Sequence, residues 1–84
     1  MTREEVFEVL KKHIMEQLED EVEESEIRIE KSMSDLGANS LDSVEIVTNT
    51  MRDLKIKIPR DELGTITSMQ GLVTAMTAHA NRHS

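Results

Sequence analysis

Eighty-four residues carrying a net charge of −7 and no cysteine point to one small domain with a modest core, no disulfide frame and no thiolate metal site. A single Phe, with no Tyr and no Trp, argues against base stacking on nucleic acid, and the negative charge opposes a phosphate backbone and suits basic partner surfaces. No apolar run approaches a membrane span and nothing resembles a signal peptide, so a cytoplasmic protein is expected.

The chain opens on Thr2-Arg-Glu-Glu5, the Ser/Thr-x-x-Glu form of a capping box. Val6, Phe7, Leu10, Ile14 and Leu18 follow at helical spacing, with Glu8, Lys11, Lys12 and Glu16 off that face. This predicts an amphipathic helix over about 3–19, with Phe7 and its neighbours in the core. Residues 20–35 change character. Acidic residues dominate from Glu19 to Glu26, and Ile27 and Ile29 then alternate with Arg28 and Glu30. A helical continuation over Glu21–Glu26 is one reading. The preferred one is a long ordered loop with Ile27 and Ile29 against the bundle and the acidic run as solvated surface. The charge is uneven: residues 1–35 hold 5 Lys/Arg and 12 Asp/Glu, while residues 36–84 hold 5 and 5.

Gly37 marks a turn and Asn39 is a favoured N-cap. Apolar residues then recur at 41, 44, 47, 51 and 54, predicting a helix over about Ser40–Leu54. That period turns Val44, Val47, Met51 and Leu54 toward the core and leaves Leu41 partly exposed. Ser40 falls in the first helical turn, where free backbone N–H groups and the positive end of the dipole favour a phosphate. Lys55-Ile-Lys-Ile58 reads as an extended connector, with Ile56 or Ile58 plugging the core. Pro59 leads into a short third helix, about Arg60–Leu63, ending near Gly64. Thr67-Ser-Met-Gln70 has the form of a second capping box. Ile66, Met69, Leu72, Val73, Met76 and Ala80 mark a last helix over about 68–81, with residues 82–84 as a frayed tail. Met51, Met69 and Met76 sit on apolar faces as packing residues. The sum is an all-α bundle of four helices, one of them short.

Catalytic machinery is not legible. Ser40 has no triad, since His13, His79 and His83 lie at no motif spacing from a serine and read as surface residues. Gly-x-Ser-x-Gly is absent. An EF-hand begun at Asp35 fails, because position 3 is Gly37 and position 12 is Ile46. Neither an enzyme nor a metal site is expected.

The stretch Leu36-Gly-Ala-Asn-Ser40-Leu-Asp-Ser-Val-Glu-Ile46 resembles the modification motif of acyl carrier proteins. Lys57-Ile-Pro-Arg-Asp-Glu62 is similar to that family's loop between its second and third helices, and Thr65-Ile-Thr-Ser-Met-Gln70 to the approach to its last helix. The resemblance implies a small four-helix bundle of the acyl-carrier type, with a long first loop and a short third helix, forming a single carrier domain over 1–84. It implies a monomer with a 4′-phosphopantetheine arm, covalent and derived from coenzyme A, on Ser40, which supplies the thiol this chain lacks. Asn39, Leu41, Asp42, Val44 and Glu45 become candidate partner contacts, with Val44 equally a candidate for the core. Implied partners are a phosphopantetheinyl transferase and an acyltransferase, a ketosynthase or an HMG-CoA-synthase-like enzyme.

Three features narrow the resemblance. Asn39 stands where the commonest carrier motif has Asp, and Gly-Ala-Asn-Ser resembles the free-standing carriers of polyketide β-branching cassettes. Ile46 stands where carriers that accept β-branching often have Trp, so a donor role in polyketide biosynthesis fits better. The second helix carries Asp42, Glu45 and Asp53 offset by Arg52, a weaker acidic face than the family's usual docking surface. The alternatives are a fatty-acid synthase carrier and, from another class, an unmodified helical adaptor in which Ser40 only begins a helix.

Overall fold

The structure is a computed structural model that describes residues 1–64, 66 and 68–82. Among these residues four α-helices follow in order: α1 Arg3–Leu18, α2 Ser40–Leu54, α3 Arg60–Leu63 and α4 Met69–Arg82. The all-α bundle expected from the sequence is the fold observed. No helix among the described residues is long and apolar enough to cross a membrane.

The capping box of α1 forms as expected. The Thr2 hydroxyl accepts from Glu5 N–H at 3.1 Å, and Glu5 Oε1 accepts from Thr2 N–H at 3.0 Å. Val6, Leu10, Ile14 and Leu18 are buried along one face of α1, which packs mainly on α2 and also on α4. Burying each such side chain contributes about 1.5–3 kcal/mol. Phe7 is only half-buried, packed at the core's edge with the Lys11 ammonium 5.6 Å from its ring centre. Arg3 ties α1 to α4 through the Thr74 hydroxyl.

The connection from α1 to α2 is ordered as three one-turn 3-10 helices, at Glu19–Glu21, Glu24–Glu26 and Ser34–Leu36. The helical continuation over Glu21–Glu26 therefore does not form as α-helix. Ile27 is buried and Ile29 half-buried, as expected, and Val22 and Met33 are buried beside them. Ser32 and Asp35 bond reciprocally: Ser32 N–H donates to Asp35 Oδ2 at 3.0 Å, and Asp35 N–H donates to Ser32 Oγ at 3.2 Å. Lys31 C=O accepts Met69 N–H at 3.2 Å, pinning this loop to the start of α4.

Helix α2 spans the predicted residues, but its inward face differs. Ile46 and Thr50 are fully buried, Val47, Met51 and Leu54 are half-buried, and Val44 is 62% exposed. Of the two places left open for Val44, core or surface, the structure shows the surface. Thr50 takes the second inward position because its hydroxyl donates to Ile46 C=O at 2.7 Å, leaving no buried polar atom unsatisfied. The helix stops in a Schellman motif. Lys55 adopts φ 57, ψ 44, its N–H bonds Arg52 C=O at 3.2 Å, and Ile56 N–H bonds Met51 C=O at 3.0 Å. Ile56 and Ile58 are both buried rather than only one of them.

At α4, Ser68 Oγ accepts Gly71 N–H at 3.1 Å and so caps the helix. The capping box expected to start at Thr67 lies outside the described residues. Helix α4 runs through Arg82, past the expected boundary at 81, so the tail expected at 82–84 does not include Arg82; residues 83 and 84 lie outside the described residues. The histidines also correct an expectation. His13 and His79 are largely covered, with side chains 12% and 13% exposed, and each meets carboxylates. His13 Nε2 lies 2.7 Å from Asp53 Oδ2 and Nδ1 lies 3.2 Å from Glu16 Oε1; His79 Nε2 lies 2.9 Å from Glu62 Oε2. These contacts join α1 to α2 and α3 to α4. His83 lies outside the described residues.

Candidate functional site

The chain approaches Ser40 through a turn clamped on both sides. Gly37 sits at φ 88 and closes the last 3-10 turn, with its N–H on Ser34 C=O at 3.0 Å. Ala38 N–H bonds Met33 C=O at 3.1 Å, and Leu36 and Ala38 are both buried. The left-handed Gly37 lets the backbone bury residues on either side of itself and then turn outward at Asn39.

Asn39 begins α2 with a reciprocal cap. Its Oδ1 accepts Asp42 N–H at 2.8 Å, and Asp42 Oδ2 accepts Asn39 N–H at 3.3 Å. The other Asp42 oxygen accepts Gln17 Nε2 at 3.0 Å, so the same carboxylate fastens the start of α2 to α1. Ser40 follows as the first residue of α2, exposed, in a turn anchored to the bundle. Its hydroxyl makes no hydrogen bond among the described residues. Neither described histidine faces it, since His13 and His79 are engaged by carboxylates elsewhere on the bundle.

The five other candidates divide by geometry. Asn39 and Asp42 have their side chains engaged in the cap, where they set the direction and charge of the Ser40 turn. Leu41, 76% exposed, and Val44 and Glu45, also exposed, present free side chains beside Ser40. Leu41 and Val44 therefore belong to the surface of α2 and not to its packed face.

A cleft of about 1040 Å³ opens along α2, lined chiefly by Met33, Val44, Val47, Met51, Ile58 and Leu63, with Lys57 on its wall. Successive helical residues turn by about 100°, which puts Ser40, Val44, Val47 and Met51 within about 40° of one face. The free hydroxyl and the cleft therefore share one side of α2. Sequence reading missed this cleft, because Met33, Lys57 and Leu63 reach it from three separate segments. The one available signal was the Lys55-Ile-Lys-Ile58 alternation, which separates an inward from an outward side.

Two carboxylates are held toward the charged form, Asp35 before the Ser40 turn and Asp53 at the far end of α2. Asp35 lies below its ordinary pKa because the Ser32 backbone N–H and then the Ser32 hydroxyl bond it. Asp53 is likewise lowered, first by the hydrogen bond from His13 and then by that from Lys12.

What the arrangement can do is limited by what it lacks. An exposed serine at a helix N-terminus can carry a phosphodiester, whose charge the free N–H groups favour. Among the described residues no base is hydrogen-bonded to that serine. The sequence matches the phosphopantetheine attachment site family over residues 8–76, a span that runs from α1 to α4 and includes the whole capped turn and the cleft. With most of its length inside that match and with the four-helix fold in place, the chain belongs to the phosphopantetheine attachment site family, whose domain is the site of covalent 4′-phosphopantetheine attachment.

Proposed function

We propose that Ser40 is the attachment serine, and that residues 1–84 form one acyl carrier domain working as a cytoplasmic monomer in polyketide biosynthesis. The observation that carries this reading is the exposed, unbonded Ser40 hydroxyl on the first residue of a capped helix, on the side of the cleft. In the attachment step Ser40 Oγ forms a bond to the β-phosphorus of coenzyme A. The pyrophosphate P–O bond breaks, adenosine 3′,5′-bisphosphate leaves, and the hydroxyl proton passes to a base of the transferase. When bound, the group supplies a thiol that holds acyl cargo as thioesters.

The chain's own residues hold and present the group. The N–H groups of Ser40 and Leu41 at the start of α2 would favour the charge of the phosphodiester, and Asn39 and Asp42 keep that turn formed. Leu41, Val44 and Glu45 meet the partner enzymes: the phosphopantetheinyl transferase first, then an acyltransferase, a ketosynthase or an HMG-CoA-synthase-like enzyme. Support for a donor role in β-branching comes from the Gly-Ala-Asn-Ser sequence and from Ile46, which is fully buried and offers no side chain to a partner.

Intact-protein mass after incubation with coenzyme A and a promiscuous phosphopantetheinyl transferase tests the assignment. The native chain is expected to gain one phosphopantetheine and Ser40→Ala none. A folded native chain that gains nothing would overturn the carrier reading in favour of a helical adaptor. Equal handling of the loaded protein by fatty-acid and polyketide ketosynthases would favour a fatty-acid synthase carrier instead.

A further inference from the structure

The cleft wall is apolar except for a few hydroxyls and one cation. Ser34, Ser43 and Thr48 contribute the hydroxyls, and Lys57 is the only charged residue among the described ones that lines it. The position of Lys57 follows from the extended connector after α2. Ile56 and Ile58 are buried, each 6% exposed, while Lys57 between them is exposed.

Lys57 forms no ion pair among the described residues. Of the carboxylates on this stretch, Asp61 is exposed and the other two meet cations or histidines elsewhere. Asp53 is engaged by Lys12 at 3.3 Å and His13 at 2.7 Å, and Glu62 by His79 at 2.9 Å. Arg52 and Lys55 are exposed on the same stretch. Lys57 is thus an unpaired cation, among the described residues, on the wall of an apolar cleft.

Given Ser40 as the attachment serine, on which this rests, we infer that the cleft takes acyl groups ending in a carboxylate, with Lys57 as the pairing cation. The methylene part of such a group meets Val47, Met51 and Leu63, and the carboxylate stays at the wet rim beside the ammonium. A methyl-ended acyl group of the same length gains only the apolar part. A cationic end is disfavoured by Lys57.

The test uses the full chain loaded on Ser40 from adipyl-coenzyme A or hexanoyl-coenzyme A, which match in carbon count and differ in the terminal carboxylate. Methyl NMR shifts of Met33, Met51 and Leu63 report occupancy of the cleft, in the native chain and in Lys57→Gln. Lys57→Gln is expected to lower the adipyl-bound fraction about two- to fivefold, the range of a solvent-exposed ion pair. The hexanoyl shifts are expected to be equal in both proteins, which also shows that the variant is folded. Adipyl shifts that Lys57→Gln leaves unchanged, or an adipyl group that never perturbs these methyls, would overturn the inference while leaving Ser40 standing. Failure of either acyl group to add to the protein mass would overturn both.

Discussion

Gln17 and Asp42 are 25 residues apart in sequence and meet side chain to side chain, Gln17 Nε2 donating to Asp42 Oδ1 at 3.0 Å. Because Asp42 Oδ2 also closes the cap on Asn39, one carboxylate joins the α2 start to α1. Asp42→Ala is expected to lose about 1–2 kcal/mol of stability, the sum of a cap and a part-buried hydrogen bond. Gln17→Ala should lose about 0.5–1.5 kcal/mol. A double-mutant cycle in urea denaturation measures the coupling, and additive losses would show that the bridge contributes nothing.

Removing the exposed residues around Ser40 should separate stability from handling. Ser40→Ala, Leu41→Ser and Val44→Ser are each expected to leave stability within about 0.5 kcal/mol, since none removes a described hydrogen bond or a buried side chain. Leu41→Ser and Val44→Ser should each lower kcat/KM for phosphopantetheinyl transfer about fivefold or more, as loss of an interface anchor does. Transfer at native rates in both variants would mean that partners dock elsewhere.

Two left-handed positions predict opposite outcomes. A Cβ added at Gly37 would meet nothing within 4 Å, so Gly37→Ala isolates backbone strain at φ 88 and should cost about 1–2 kcal/mol. Lys55 holds φ 57 with a Cβ already present. Lys55→Gly should therefore stabilise by up to about 1 kcal/mol at this helix stop. Thermal melts of the two variants against the native chain read both signs.

Acid should weaken the fold through its bonded carboxylates. Glu5, Asp35 and Asp53 are held below their ordinary values: Glu5 by the Thr2 backbone N–H, Asp35 by that of Ser32, and Asp53 by His13. A carboxylate lowered in the folded state contributes stability above its unfolded value of about 4 and loses it as pH falls through the folded value. Asp35→Asn should therefore be less stable than the native chain at pH 6, with the gap closing below pH of about 4. Urea midpoints across that range test this; a gap independent of pH would remove Asp35 from the acid response.

The sequence made the helices legible because their starts are chemically marked. Thr2 and Asn39 cap as their residue types suggest, and α2 begins and ends where its period does. The face of α2 was harder, because hydrophobicity alone ranks Val44 above Thr50. Thr50 satisfies its hydroxyl on the preceding turn and packs inward, while Val44 lies open. His13 and His79 were misread for a related reason: their carboxylate partners, Asp53 and Glu62, lie on other helices and carry no spacing signal. Gln17 was equally silent, being an ordinary polar residue until the fold brings Asp42 to it.

Ser40 and the inward residues Ile46 and Thr50 belong to one uninterrupted helix, so the angle between the hydroxyl and the core is set by counting residues. A single residue inserted between Ser40 and Val44 would leave α2 helical and its inward seam intact. It would nevertheless swing Ser40 by about 100° off the line of Val44, Val47 and Met51. An insertion of that kind is a heavier change than any substitution nearby: the helix would still present a serine, aimed away from the cleft.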